Sequence, residues 1–141
     1  MSTSKKTLFP LIGVVPIVLT PFNDDGSIDF ASLEREVEHG IKDGVAGFIV
    51  PAVASEVNKL TEDERKQLTV RVISQVKGRV PVVIGASHPD AKQSRGLAEY
   101  GMAQGAAGIL CSVPIPIIDD KVKVKAYLHE VAKARMTMLM V

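Results

Sequence analysis

The sequence predicts an α/β fold built around a parallel sheet, and three observations carry that expectation. Short apolar runs, rich in β-branched residues and continuous rather than alternating, recur along the 141 residues, as strands buried on both faces do. Stretches with apolar residues at helical spacing lie between them. Successive runs stand about 30 residues apart with a helix in between, a separation that right-handed parallel crossovers require and hairpins do not.

The elements follow in order. "VVPIVL" (14–19) reads as a buried strand and "NDDGS" (23–27) as a turn. Asp29 is placed to cap a helix whose apolar face is Phe30, Leu33, Val37 and Ile41, with Gly44 beyond its end. "VAGFIV" (45–50) is the next strand. Thr61 and Glu64 form a capping box that opens a second helix, with Leu68, Val72 and Val76 inward and Gly78 as its stop. "RVPVVIGA" (79–86) is a strand, and Pro89–Asp90 begin a helix through Leu97 and Ala98 that ends near Gly105. "AGILCSV" (107–113) is a fourth strand. A helix after Asp119–Asp120 carries Val124, Leu128 and Val131 on one face, and "MTMLMV" (136–141) is a fifth strand.

"GVAGFIV" (44–50) and "GAAGILC" (105–111) echo one another, the mark of a repeated βα unit. Two architectures accommodate five such units: an open doubly wound sheet of the flavodoxin type, or the first part of a (β/α)8 TIM barrel. The end of the chain favours the barrel. An open sheet finishes with a docked helix, whereas "ARMTMLMV" (134–141) reads as a buried strand cut in its middle.

Composition excludes several function classes. Seventeen basic and sixteen acidic residues give a formal charge of +1, with no electrostatic pull towards nucleic acid or an acidic membrane. The lone Cys111 rules out an internal disulfide and fits a reducing compartment. The apolar stretch after "MSTSKK" is broken by Pro10, Pro16 and Pro21 and offers no small-residue cleavage site, which argues against a signal peptide. No run reaches the roughly 18–20 apolar residues of a membrane helix, so a cytoplasmic location is expected.

Few motifs carry chemistry. Gly101, Gly105 and Gly108 have dinucleotide-like spacing but run from helix into strand, the wrong direction for a helix N-terminus to meet phosphate. Asp24 and Asp25 could imitate a phospho-receiver pocket, yet the aspartate and lysine such a site needs at later strand ends are missing, and an Asx–Gly turn explains them. His39, His88 and His129 lack metal-ligand spacing, and Cys111 reads as a core residue. The remaining candidate is "PAVASEVNKLTEDER" (51–65), at the carboxyl end of a strand where barrel chemistry resides. Its small residues Ala52, Ala54 and Ser55 would let a ligand approach backbone N–H groups, which suit a carboxylate; an ordinary tight turn is the competing reading.

The segments 13–50, "SEVNKLTEDER" (55–65), "GRVPVVIGAS" (78–87) and "GAAGILCSVP" (105–114) resemble the dihydrodipicolinate synthase/N-acetylneuraminate lyase family of class I aldolases, with "TPF", an acidic–Gly turn and "VPVVIG" as the specific features. The resemblance implies a (β/α)8 barrel, with residues 1–12 as an extension and 13–141 supplying about five strands and four helices. It further implies a lyase acting on pyruvate or another 2-keto acid through a lysine Schiff base on the sixth strand, without metal or cofactor, in a homo-oligomer that is commonly a tetramer. A desolvated lysine of lowered pKa is the nucleophile such chemistry needs. That strand would lie beyond residue 141, and Lys59, Lys92 and Lys121–Lys125 lack the apolar setting to stand in. The chain alone is therefore expected to be inactive.

Two departures bear on the substrate. Val53 and Ala54 stand where the family carries a hydroxyl pair, leaving Ala54 and Ser55 as the substrate-binding candidates through their backbone. Pro116 occupies the position of a catalytic phenol. Both point away from dihydrodipicolinate synthase proper, towards a sugar-acid aldolase or dehydratase. The alternative from another class is a non-catalytic interaction module derived from a half barrel, associating through its open edges.

Overall fold

The structure is a computed structural model that describes residues 11–134 and 139–140. Helices α1 (Phe30–Lys42), α2 (Glu62–Val76), α3 (Ala91–Ala103) and α4 (Lys121–Ala132) alternate with strands β1 (Phe48–Val50), β2 (Val82–Gly85), β3 (Gly108–Leu110) and β4 (Leu139–Met140). The strands pair in chain order, β1-β2-β3-β4. Every pairing is parallel, with Val50 opposite Ile84, Ile84 opposite Ile109 and Leu110 opposite Met140. Consecutive order decides between the two architectures. A doubly wound sheet reverses its strand order at a switch point, whereas a barrel adds each strand beside the last. The sheet is an arc of a barrel.

The leading segment, expected as a strand over 14–19, joins this arc more loosely. Ile17 bridges Ile49 in parallel, with Val18 N donating to Ile49 O and Ile49 N to Pro16 O, both at 2.9 Å. Pro16 has no N–H for the next rung towards the amino end, where only Ala46 N reaches Val14 O at 2.8 Å, and at the other end Pro51 has no N–H to offer Val18 O, which takes the Ser55 hydroxyl instead. The expected extension 1–12 lies outside the described residues apart from Leu11 and Ile12, as does most of the predicted strand 136–141.

Helix boundaries follow the capping chemistry. Asp29 accepts from Ser32 N, Thr61 and Glu64 form the reciprocal box, and Asp90 and Asp120 each accept from two amides of the turn they open. One core fills the space between sheet and helices. Phe48, Val50, Val82, Ile84, Ile109 and Cys111 meet Leu33 and Val37 of α1, Leu68, Val72 and Val76 of α2, and Ala98, Tyr127 and Val131 of α3 and α4. Ile49 and Val83 alternate to the opposite face of the sheet, the inner side of the arc, and are also buried. On α4 the buried pair is Tyr127 and Val131, while Val124 and Leu128 are half-buried. An apolar-only count misses Tyr127, whose ring can go under because its hydroxyl donates to His88 O at 2.6 Å.

Polar clamps hold α1 to α2. Arg71 pairs with Glu34 at 3.0 Å, and Arg79 grips both carboxylate oxygens of Glu38 at 2.6 and 2.9 Å. The Arg79 guanidinium, then the Gln75 amide, hold the Glu38 carboxyl down to about 2 from an ordinary 4.5. A depressed carboxyl stabilises the fold above its unfolded-state value, and that contribution disappears as pH falls through the folded one. Carboxyl-resolved NMR titration should therefore show Glu38 titrating near 2, with the α1–α2 clamp surviving through the range where unpaired glutamates protonate; a normal midpoint would remove the clamp.

Candidate functional site

All strands run the same way, so their carboxyl ends and the loops that follow share one rim. There the chain places 51–60 after β1, Ala86–Pro89 after β2 and Cys111–Ile118 after β3, with Thr20 beside them from the leading segment. After the cis peptide Val50–Pro51, the chain makes two single 3-10 turns, Val53–Ser55 and Val57–Lys59, joined by Glu56 in the left-handed region at φ 55°.

The two predicted substrate-binding residues sit differently in this loop. Ala54 is exposed at its crest, next to Val53, which is 82% exposed. Ser55 is fully buried and committed within the chain. Its hydroxyl donates to Val18 O at 2.5 Å and accepts from Ala52 N at 3.1 Å, and its N–H donates to Ala52 O at 3.0 Å. Thr20 Oγ1 donates to Ser55 O at 2.7 Å. Ser55 thus ties the loop to the end of the leading segment. Ala54 and its neighbour present the accessible backbone.

Further round the rim, Ser87 Oγ accepts from Ser112 N at 2.9 Å, joining the loops after β2 and β3. Ser94 Oγ donates to Ala86 O at 2.6 Å and lies 3.3 Å from Cys111 Sγ, which in turn is 3.5 Å from the Tyr127 hydroxyl. Burial, and after it the Cys111 thiol, push the Tyr127 phenol above its ordinary 10. Cys111 is therefore a buried polar joint. A cleft of about 190 Å³ opens between the rim and helices α2 and α3, edged by Val53, Asn58, Arg65, Ser87, Tyr100 and Ser112.

The other residues weighed from sequence stay apart. Asp25 accepts from the Ser27 hydroxyl at 2.6 Å and from its amide at 2.9 Å, and is held below its ordinary value by them, so it serves the turn. His88 Nδ1 accepts from Asp90 N at 2.9 Å, and His39 and His129 are exposed on α1 and α4. No cluster of metal-ligating side chains occurs among the described residues. Every described lysine is exposed except Lys66, which is half-exposed and pairs with Glu62 at 2.7 Å. Pro116 lies in a 3-10 turn, Ile115–Ile117, whose first residue is 84% exposed. Sequence reasoning missed Thr20, Ser87 and Ser112: the first two are small hydroxyl residues one position past a predicted strand, and Ser112 was hidden inside the predicted strand 107–113, whereas β3 ends at Leu110.

The comparisons with known proteins agree with this geometry. The sequence profile of the Dihydrodipicolinate synthetase family fits residues 10–141. The chain is 31% identical over 102 residues to a 4-hydroxy-tetrahydrodipicolinate synthase of Gluconacetobacter diazotrophicus, covering 72% of this chain and 34% of that protein. It is 35% identical over 102 residues to an L-2-keto-3-deoxyarabonate dehydratase of Azospirillum brasilense, covering 72% and 33%. The solved structure of a monomeric dihydrodipicolinate synthase variant superposes with a TM-score of 0.83 at 27% identity, over 90% of this chain and 42% of that one. CdNal of Clostridium difficile, solved with mannosamine, shares the fold at a TM-score of 0.85 and 21% identity, over 92% and 45%. The chain spans about a third of the length of these curated relatives. A profile that follows the whole arc, from the leading segment to the last strand, makes this chain a member of the dihydrodipicolinate synthetase family.

Proposed function

We propose that these residues form the amino-terminal wall of the pocket of a class I aldolase-type lyase acting on pyruvate or another 2-keto acid. The observation that carries this reading is the loop 52–55, set at the carboxyl rim of a parallel arc with small side chains and an accessible crest. In that reading Ala54 and Ser55 form the carboxylate seat without a cationic side chain: Ala54 offers its backbone N–H at the crest, while Ser55, whose own N–H is engaged by Ala52 O at 3.0 Å, fixes the segment. Ser55 holds the segment from beneath, and Val53 and Ala54 supply no hydroxyl for proton relay. Relatives of similar identity include a synthase and a sugar-acid dehydratase. The loss of hydroxyls at the loop and the proline at position 116 favour the second kind of chemistry.

Imine formation needs an amine held neutral by a desolvating setting. The described lysines are solvated, and Lys59 and Lys66 are paired with Glu56 at 2.5 Å and Glu62 at 2.7 Å. The 141-residue polypeptide is accordingly expected to gain no mass when treated with pyruvate and borohydride, while a polypeptide carrying the remaining barrel strands gains one pyruvyl unit. An adduct on the 141-residue chain would overturn the reading. No metal or cofactor is called for. The substrate is a small molecule, with no nucleic acid or membrane partner, in a cytoplasmic homo-oligomer, a tetramer for the full-length parent.

The second reading is a half-barrel interaction module. Ile12, Val14, Leu19, Ile115 and Val122 are each more than half exposed, an apolar surface that a second copy could cover. Light scattering after size exclusion separates the readings: a discrete dimer of this chain favours the module, and polydisperse aggregate favours the enzyme wall.

A further inference from the structure

Glu36, in the middle of α1, does something unlike its acidic neighbours. Glu34 and Glu38 face α2 and pair with Arg71 and Arg79. Glu36 turns instead to the leading segment, where its Oε1 accepts from Leu19 N at 2.9 Å. Val18 N points towards β1, so Leu19 N points away from it, at the outer edge of the sheet. The next two links lead to the rim. Val18 O accepts from the Ser55 hydroxyl at 2.5 Å, and Thr20 Oγ1 donates to Ser55 O at 2.7 Å. Residues 18–20 are thus held by the helix on one side and by the loop 52–55 on the other.

We propose that Glu36 is a positioning residue that sets the order of the loop 52–55 through Leu19 and Thr20, and makes that order respond to pH. The titrating group stands without a countercharge among the described residues. Residues 11–22 contain no ionisable side chain, Arg71 of α2 and Arg79 just beyond its end are spent on Glu34 and Glu38, and on α1 itself Arg35 is turned to the Ser32 hydroxyl while His39 is exposed. Burial pushes the Glu36 carboxyl above its ordinary 4.5, against the opposing effect of the Leu19 amide. A group that binds its proton more tightly in the closed arrangement favours closure as pH falls. The clamp therefore tightens on acidification and relaxes as pH rises through the raised value. Its consequence for substrate rests on reading 52–55 as the carboxylate-binding loop; the clamp itself is measured without ligand, so either can fail alone.

Hydrogen exchange followed by mass spectrometry on the intact chain tests it. Glu36→Leu removes the acceptor and is expected to lower protection about five- to tenfold, the equivalent of one net hydrogen bond, in peptides covering both 17–22 and 52–56. Glu36→Gln keeps an acceptor without a charge. Its protection should exceed the wild type at neutral pH and match it in acid, so that the ratio between the two changes from about pH 4 to about pH 8. Loss confined to 17–22 in Glu36→Leu, or a pH-independent ratio between wild type and Glu36→Gln, would overturn the proposal.

Discussion

Glu36 aside, the largest expected effect of a single methyl group falls on Gly85: Gly85→Ala should lower stability by about 3 kcal/mol or more. A Cβ at this position would stand 1.7 Å from Pro51 O and 2.9 Å from Pro51 C. Both atoms are backbone, so no side chain can swing away. The neighbouring pair Val50–Ile84 belongs to the β1–β2 ladder, and making room means parting these strands at their carboxyl ends. Domains of this size have only about 5–15 kcal/mol in total. The loss should appear in urea melts as a lower midpoint with an unchanged slope. Gly96→Ala on α3 is the control. Nothing lies within 4 Å of its added Cβ, and alanine there should raise stability by about 0.5–1 kcal/mol through helix propensity. A Gly85→Ala midpoint equal to the wild type would mean that the two strand ends are not in contact as described.

Gly85 also shows where sequence reasoning stopped. The position is the last but one of a predicted strand (79–86), and nothing local distinguishes it from a packing glycine. Its need for a missing side chain arises from Pro51, thirty-four residues earlier in the chain, which only the parallel register brings near. The caps were legible for the opposite reason. Asp29, Thr61–Glu64, Asp90 and Asp120 bond amides two or three residues away, so residue type and spacing suffice. Barrel topology lay between these extremes, as βα periodicity fixes parallel pairing but leaves strand order open. The same limit applied to the rim. The loop 52–55 could be placed at a strand end from its spacing, but the division of labour inside it, with Ala54 outside and Ser55 buried, depends on Val18 and Thr20. Tyr127 escaped because its hydroxyl finds His88 O across thirty-nine positions.

Ser55→Ala should be the most damaging conservative change at the rim, with an expected cost of about 2–4 kcal/mol. The serine hydroxyl serves two backbone groups at once, donating to the buried Val18 O and accepting from the half-buried Ala52 N. Alanine fits the space but leaves a carbonyl and an amide without partners, and each such loss costs about 1–3 kcal/mol. Thr20→Val removes one hydrogen bond, that to Ser55 O, and should cost about 1 kcal/mol. Because both side chains join the same two segments, the double variant should lose less than the sum, with a coupling of about 0.5 kcal/mol or more. Additive losses would show that Ser55 and Thr20 act on separate parts of the rim. The outcome also bears on how a carboxylate could be received. If Ser55 holds the loop, then adding bulk at the exposed Ala54, as in Ala54→Leu, should leave the urea midpoint within about 0.5 kcal/mol of the wild type, because the crest carries none of the tie. A serine that could be removed without loss of stability would be free to face a ligand directly, and the hydrogen bonds from Thr20 and Ala52 would then no longer explain why it is buried.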